Sequence, residues 1–268
     1  MGEVAAITGV DVERLLLEAG DDEVIRTDNA QLATFALSLV AYHDLLARGV
    51  RPRYHLGHSL GEFSALTAAG VLSLEDGARL IATRGAAMAA AAQARAGSMV
   101  ALLGGDEEAR GRLAGRADLW VANVNGAGQL VVSGTPDALA DLVAVHRELG
   151  FRRATPLPVG GAFHSPLMAP AQAALDAQLA TVTWRESDVV VIANVDGAAH
   201  TGAQWHDLLA RQLTSPVEFV RATGALPATV TVSIEMPPGA VLTGLTRRIR
   251  DFDAQVALAG PADLEAVA

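Results

Sequence analysis

The stretch that most constrains this chain is Gly57-His58-Ser59-Leu60-Gly61, which joins a short apolar run to a helical pattern through one serine. A strand that enters a helix through a G-x-S-x-G turn holds the serine hydroxyl at the tip of a sharp bend. We expect both glycines to be required, because a Cβ atom at either position would clash within the turn. The backbone N–H of Leu60 can then point at an oxyanion. A serine here is also a good helix N-cap, so the turn alone leaves both roles open.

A serine hydroxyl is a weak nucleophile and needs a base within hydrogen-bonding distance. Among the seven histidines, His164 has the most informative context, in PVGGAFHSPLM, after a predicted strand and before a predicted helix. Loop histidines at the end of a strand are common general bases. The pattern around His164 is equally compatible with a structural role at the entry to the helix.

Strand and helix patterns alternate along most of the chain, which predicts an α/β fold with a mainly parallel sheet covered by helices on both faces. Segment 97–157 has the order βαββαβ instead, which fits an inserted ferredoxin-like small subdomain. Residues 1–96 and 158–268 then form the large subdomain with the serine turn. The predicted strands are 53–57, 98–103, 119–124, 129–133, 152–157, 189–194 and 229–235. The predicted helices are 28–48, 60–69, 74–94, 106–115, 136–149, 166–180, 205–213, 217–225 and 239–248.

Composition sets the class of protein. Hydrophobic residues make up 51% of the 268 residues and charged residues 19%, so the chain can bury a large core. The apolar helix at 28–48, with Asp28 as its N-cap, is predicted to be buried and not to span a membrane, because polar residues interrupt it. The net charge of -10 argues against non-specific nucleic-acid binding. The start of the chain is acidic and does not match a signal peptide, so we expect a cytoplasmic protein.

The sequence contains no cysteine, which excludes disulfides and thiolate catalysis. No two histidines stand at the i, i+4 spacing of a zinc motif with a glutamate between them, so we predict no metal site.

Several motifs together resemble the malonyl-CoA:acyl-carrier-protein transacylases, to which the acyltransferase domains of polyketide synthases are related. The resemblance runs from about residue 20 to the C-terminus in the family's order and spacing. The motifs are Gly57-His58-Ser59-Leu60-Gly61-Glu62, Arg84 in TRGAAM, ANVNGAGQLVVSG at 122–134, GAFHSPLM at 161–168 and VLTGLTRR at 241–248.

The resemblance implies an α/β-hydrolase-like large subdomain with a ferredoxin-like small one. It implies that Ser59 attacks the thioester of malonyl-CoA while His164 takes its proton, and that the thiol of an acyl carrier protein then receives the acyl group. A backbone carbonyl near Arg211–Ser215 would orient the histidine in place of an acidic side chain. No resident cofactor is expected, because the phosphopantetheine arm belongs to the carrier protein. Relatives are mostly monomers, so we expect a monomer.

The resemblance also assigns substrate contacts. A planar guanidinium at Arg84 would grip the malonyl carboxylate, although a surface arginine on a helix is the commoner fate of this residue type. Phe163 matches the A-F-H version of the motif that accompanies malonyl, and ordinary core packing would also explain it. Asn125 and Gln129 fall where relatives contact the thioester arm, and Asn125-Gly126 is equally a turn signal.

One part of the family pattern has no counterpart. Relatives begin with a strand and a G-Q-G loop that supplies the second oxyanion donor, whereas this chain starts MGEVAAITGV. A truncated sequence, a strand from another chain and a homologue that binds without turnover all remain open. The alternatives to malonyl transfer are therefore an acyl-thioester hydrolase on the same scaffold and a non-catalytic binder of carrier proteins.

Overall fold

Three β-sheets and the helices around them make up the part of the chain that the computed structural model describes, residues 1–265. The α-helices are α1 Gly2–Thr8, α2 Val12–Leu17, α3 Asp21–Val24, α4 Thr27–Ala47, α5 Leu60–Ala68, α6 Leu74–Ala94, α7 Glu107–Gly111, α8 Pro136–Val145, α9 Ala169–Leu179, α10 Gln204–Gln212, α11 Phe219–Gly224, α12 Val241–Thr246 and α13 Pro261–Glu265. The strands are β1 Tyr54–Leu56, β2 Ser98–Leu103, β3 Leu119–Gly126, β4 Gln129–Gly134, β5 Arg153–Pro156, β6 Val190–Ile192, β7 Ala199–His200, β8 Val232–Glu235 and β9 Ala254–Ala257.

The sheet that carries the serine turn is short. β1 pairs with β6 in parallel, with His55 opposite Val191, and the two-residue β7 pairs with β6 in the antiparallel sense. β8 and β9 form a second parallel pair that is not hydrogen-bonded to the first. The expectation of one mainly parallel sheet is therefore wrong for the described residues. The two pairs do not form one sheet because β1 and β8 exchange no backbone hydrogen bonds, and a cavity of about 590 Å³ lined by residues of both strands lies between them.

The third sheet is built from residues 98–156 and has the strand order β3-β4-β2-β5, with every neighbouring pair antiparallel. Its elements follow one another as βαββαβ, in the order that the sequence predicted. The end of β3 also contacts the segment before α11: the Val124 amide donates to the Val217 carbonyl, and the Val217 amide donates to that of Ala122, both at 2.9 Å. This contact places the end of β3 beside the region that carries the serine turn.

Helix α4, Thr27–Ala47, is the one described helix that is long and apolar enough to cross a membrane by length and composition. It is a core helix here, because ten of its residues are buried, including Phe35, Leu39 and Leu45. The prediction that this helix is buried is confirmed. Its predicted N-cap is wrong: α4 begins one residue earlier, at Thr27, and the Asp28 carboxylate instead pairs with the Arg26 guanidinium at 3.0 Å.

Most other predicted bounds agree with the structure to within a few residues, and α6 and β2 agree at both ends. Helix α7 is much shorter than its predicted range of 106–115, because Gly111 and Gly115 weaken its second half. The first turn of the helix predicted at 166–180 is a 3-10 turn at Pro166–Met168. Helices α1 to α3 and α13 and strands β7 and β9 were not predicted.

Candidate active site

The turn between β1 and α5 places Ser59 at its tip. The serine has φ 53° and ψ −108°, a conformation that non-glycine residues rarely adopt. Gly57 is required, because a Cβ atom there would lie 2.0 Å from the carbonyl carbon of Gly61. The expectation that Gly61 is equally required is wrong, since a Cβ atom on it would meet no described atom within 4 Å. A strained residue held at one point of a fold is a recurrent feature of functional sites.

His164 lies beside this turn, with its Nε2 atom 2.7 Å from the Ser59 Oγ atom. Its Nδ1 atom lies 3.0 Å from the Gln212 carbonyl oxygen and 3.2 Å from that of Ser215. A carbonyl oxygen can only accept, so Nδ1 carries the ring proton and Nε2 is left to accept a proton from the serine. The two carbonyls fall in the 211–215 region that the resemblance implied.

The imidazole of His164 is buried and has a φ of 56°. Burial and the nearby positive charge of Arg84 lower the pKa of His164 to about 3. The ring is therefore neutral near pH 7, which is the state that a general base requires.

Arg84, on α6, is only 1% exposed. Its Nη2 atom donates to the Ser59 Oγ atom at 2.8 Å and to the Gln212 Oε1 atom at 3.1 Å, and its Nη1 atom donates to the Gln31 side chain. Burial lowers the pKa of Arg84 to about 10, although the charge of Glu62 acts in the opposite direction. The guanidinium is still charged at neutral pH, so a fixed positive charge lies in contact with the serine hydroxyl.

Beneath the serine lies a buried polar network of Glu62, Asn194 and Gln212. The Ser59 amide donates to the Asn194 Oδ1 atom at 2.7 Å, and the Gln212 Nε2 atom donates to the Ser59 carbonyl oxygen at 2.9 Å. The Glu62 carboxylate accepts from the Asn194 amide at 2.7 Å and also from the Gln212 Nε2 atom. Burial raises the pKa of Glu62 to about 7, while hydrogen bonds and the charge of Arg84 act to lower it.

The side chains of Gln31, Glu62, Asn194 and Gln212 were not predicted as site residues. One signal was available for Asn194, since a polar residue directly after the apolar run of β6 lies at a strand end. For Gln31 and Gln212 the sequence holds no comparable signal, because Gln31 lies within the apolar helix α4 and Gln212 within the amphipathic helix α10, and neither position marks the end of a strand.

The remaining predicted residues lie around this centre. Leu60 is the first residue of α5, and its amide donates no hydrogen bond to another described residue. Asn125 is buried, and its Oδ1 atom accepts from the His58 Nε2 atom at 2.9 Å. The Gln129 Oε1 atom accepts from Arg248 at 2.9 Å.

Phe163 is partly buried and packs against two hydrophobic clusters, one on each side of the site. Its backbone carbonyl accepts a hydrogen bond from the Ser133 hydroxyl. The Phe163 side chain therefore has the core-packing role that was one of the two predictions from the sequence.

A cavity of about 580 Å³ reaches His164 from the side of the antiparallel sheet. Trp120 on β3 lines one wall, and Thr214 and Pro216 line another. No group of three or more His, Cys, Asp or Glu side chains among residues 1–265 is arranged to hold a metal ion.

The chain is similar to known proteins along most of its length. The family model described as acyl transferase domain matches residues 2–259. The chain therefore belongs to the acyl transferase domain family.

Three similar proteins within that family are named for malonyl transfer. The malonyl CoA-acyl carrier protein transacylase of Bacillus subtilis (strain 168) is 37% identical over 258 residues, which are 94% of this chain and 81% of that protein. An acyl carrier protein S-malonyltransferase from Vibrio cholerae has a crystal structure with a TM-score of 0.92 and 35% identity, covering 100% of this chain and 90% of the other. A malonyl-transacylase solved in complex with a type II PKS acyl-carrier protein has a TM-score of 0.91 and 30% identity, covering 99% and 88%.

Proposed function

We propose that this protein is a malonyl-CoA:acyl-carrier-protein S-malonyltransferase acting in fatty acid or polyketide synthesis. The observation that carries the proposal is the contact of one serine hydroxyl with both a neutral, oriented imidazole and a buried guanidinium. A nucleophile and base explain acyl transfer in general, and the guanidinium explains a carboxylated acyl group. Relatives that share 35–38% of their residues with this chain have the same activity in their names.

In the first half-reaction, the Ser59 Oγ atom attacks the thioester carbonyl of malonyl-CoA while the His164 Nε2 atom takes the hydroxyl proton. The carbonyl oxygen becomes an oxyanion, and the backbone amide of Leu60, the first residue of α5, donates to it. When the tetrahedral intermediate collapses, the C–S bond breaks and His164 returns its proton to the leaving coenzyme A thiolate. The product is a malonyl-serine ester.

In the second half-reaction, the phosphopantetheine thiol of the carrier protein gives its proton to His164 and attacks the ester carbonyl. The C–O bond to Ser59 breaks, and His164 returns the proton to the serine oxygen. The imidazole keeps one tautomer throughout, because two carbonyl oxygens hold its Nδ1 proton.

Arg84 supplies selectivity in this proposal. Its Nη2 atom already lies 2.8 Å from the Ser59 Oγ atom, so the carboxylate of an acyl group attached there is within reach of the guanidinium. Neutral acyl groups offer the guanidinium no carboxylate and forgo a charge-assisted hydrogen bond, which disfavours them relative to malonyl. Phe163, Asn125 and Gln129 complete the substrate contacts.

The proposal includes the division into two subdomains. Residues 97–157 form the ferredoxin-like small subdomain, and 1–96 with 158–268 form the α/β-hydrolase-like large one. A separate hydrophobic cluster drawn mainly from residues 100–151 supports this division. A monomeric state, a cytoplasmic location and the lack of a resident cofactor remain predictions.

Intact-mass spectrometry tests the function. Mixing with malonyl-CoA should add one malonyl group to the protein, and adding a phosphopantetheinylated carrier protein should move that group to the carrier. Release of free malonate without a carrier would indicate a hydrolase instead. No adduct would indicate a binder.

A further inference from the structure

Ser59 has a backbone conformation that its own sequence does not favour. A non-glycine residue at φ 53° and ψ −108° persists only where the surrounding structure over-determines it. The groups that hold its main chain therefore determine where the hydroxyl points.

Both main-chain polar groups of Ser59, its N–H and its carbonyl, are hydrogen-bonded to side chains from distant parts of the chain. Asn194, after β6, accepts from the Ser59 amide and also donates to the Gly57 carbonyl, each at 2.7 Å. Gln212, at the end of α10, donates to the Ser59 carbonyl at 2.9 Å. Both amide side chains are 0% exposed, so no solvent competes for these bonds.

One carboxylate orients both holders. The Glu62 Oε1 atom accepts from the backbone N–H of Asn194, which fixes the main chain that carries the Asn194 side chain, and the Glu62 Oε2 atom accepts from the side-chain Nε2 atom of Gln212. With Nε2 committed to two acceptors, the Gln212 Oε1 atom is turned towards Arg84. The network thus fixes the serine main chain and the guanidinium together.

We infer that Glu62 is a positioning residue for the acyl transfer reaction, acting on Ser59 through Asn194 and Gln212. It touches no reacting atom. Its function depends on both carboxylate oxygens being acceptors, because each faces an N–H donor.

Replacement of the carboxylate by an amide of the same shape tests that requirement. In Glu62→Gln, one acceptor becomes an NH₂ group that faces a donor on Asn194 or Gln212. If Gln212 flips to relieve the conflict, its oxygen faces the Ser59 carbonyl and its NH₂ group faces Arg84. Either arrangement loosens the serine main chain.

Protonation of Glu62 makes the same change without a mutation. Burial raises its pKa to about 7, and the charged groups that act on it are Arg84 on α6 and Asp196 after β6. His164, whose pKa is lowered to about 3, does not titrate in this range. A loss of Ser59 reactivity as the pH falls below 7 would therefore indicate protonation of Glu62.

The experiment compares Glu62→Gln with Glu235→Gln in the full chain. Glu235 is a matched control, because its carboxylate also accepts from two N–H donors, here the backbone amides of Leu242 and Thr243, and it lies outside the network. We expect Glu62→Gln to lower kcat for malonyl transfer about 10- to 100-fold, the range of one charge-assisted hydrogen bond, with KM for malonyl-CoA within about threefold. Glu235→Gln should stay within about twofold of wild type in both constants. A kcat for Glu62→Gln within twofold of wild type would overturn the inference.

A second readout separates this inference from the proposed function on which it rests. The rate of Ser59 labelling by a fluorophosphonate needs no malonyl-CoA, so it tests Glu62 even if the wild type accepts no malonyl group. Wild-type labelling should fall below pH 7 with a midpoint near that value, and Glu62→Gln should lack the midpoint. If the variant does not fold, the wild-type profile decides, and a flat profile from pH 6 to 8 would overturn the inference.

Discussion

The two sides of the candidate site are built differently. The first side is the elbow side, named for the serine turn at residues 57–61. There, Ser59 and His164 both have positive φ, and the buried side chains of Glu62 and Arg84 lie within one connected hydrogen-bond network. On the side of the antiparallel sheet, Asn125 and Gln129 make single hydrogen bonds to His58 and Arg248.

The difference suggests that the elbow side carries out catalysis and that the side of the antiparallel sheet adjusts substrate binding. Backbone strain and buried charge cost free energy of folding, so they persist where function requires them. Single hydrogen bonds at the edge of a cleft are cheap to form and to replace. We therefore expect large effects on catalysis from the elbow side and small effects on binding from the other.

Ser59→Ala should have the largest effect, because it abolishes the function of the elbow side. Removal of the attacking oxygen should lower malonyl transfer by roughly 10⁶-fold, as loss of a catalytic serine does elsewhere. The matched control is Ser64→Ala on the same helix, because the buried Ser64 hydroxyl has no hydrogen-bond partner among the described residues. Intact-mass spectrometry with malonyl-CoA should show the adduct in the control and none in Ser59→Ala. An adduct on Ser59→Ala would assign the nucleophile to another residue.

Arg84→Ala should change substrate preference. The mutant loses a charge-assisted contact to the malonyl carboxylate, so the ratio of kcat/KM for malonyl-CoA over acetyl-CoA should fall about 10- to 100-fold. Arg84→Lys should restore only part of it, because an ammonium cannot hold both oxygens. Arg79→Ala is the control, since Arg79 lies on the same helix but pairs with Glu75 and is 54% exposed. An unchanged ratio in Arg84→Ala would make this arginine a structural residue.

The free energy of unfolding of wild type, compared with that of His164→Gln, should depend on pH because the His164 imidazole is buried. The pKa of His164 is about 3 in the folded protein and about 6.5 when unfolded, so below pH 6.5 the unfolded state binds one more proton through this group. Its contribution to stability is present above pH 6.5 and is lost as the pH falls towards 3. The difference in free energy of unfolding between wild type and His164→Gln should therefore shift against wild type by at most about 1.4 kcal/mol per pH unit. Urea unfolding at pH 7.5, 6 and 5 measures this shift, and a constant difference would contradict it.

Gln129→Ala should have the smallest effect. It removes one hydrogen bond at the cleft edge, so KM should rise about two- to fivefold with kcat nearly unchanged. Gln178→Ala, on α9, is the control, because its amide donates to Thr181 outside the site. A large fall in kcat for Gln129→Ala would mean that the two sides of the site are not divided as proposed.

The serine turn is built from residues that are close in the chain and was predicted from them, whereas Arg84 and His164 lie 25 and 105 positions from Ser59 and were assigned to the site through the family resemblance. The serine turn needs only a strand, a serine after Gly57 and a helix in succession, so its geometry follows from five residues, but those residues alone left the role of Ser59 open between nucleophile and N-cap. Gln212 could not be predicted, because its contacts with Ser59 span 153 positions and depend on how α10 packs. The same limit explains the sheets: individual strands were predicted well, but their pairing depends on contacts that no local pattern encodes.

The capping error at Asp28 has a local cause. An aspartate beside an arginine can bond to its guanidinium instead of to the helix amides, and here Arg26 takes it. The error at Gly61 is of the same kind, because a motif shows which residues occur together but not which atoms meet.

The carbonyls that hold His164 have a genetic consequence. An aspartate in that place could be lost through one codon change, but every residue at 212 and 215 carries a peptide oxygen. Random coding changes at these two positions can therefore alter side-chain contacts without deleting the acceptor itself. Inactivating mutations that act on the orientation of His164 should therefore be substitutions that move the backbone between 212 and 215. No substitution at these two positions can remove the carbonyl acceptors themselves.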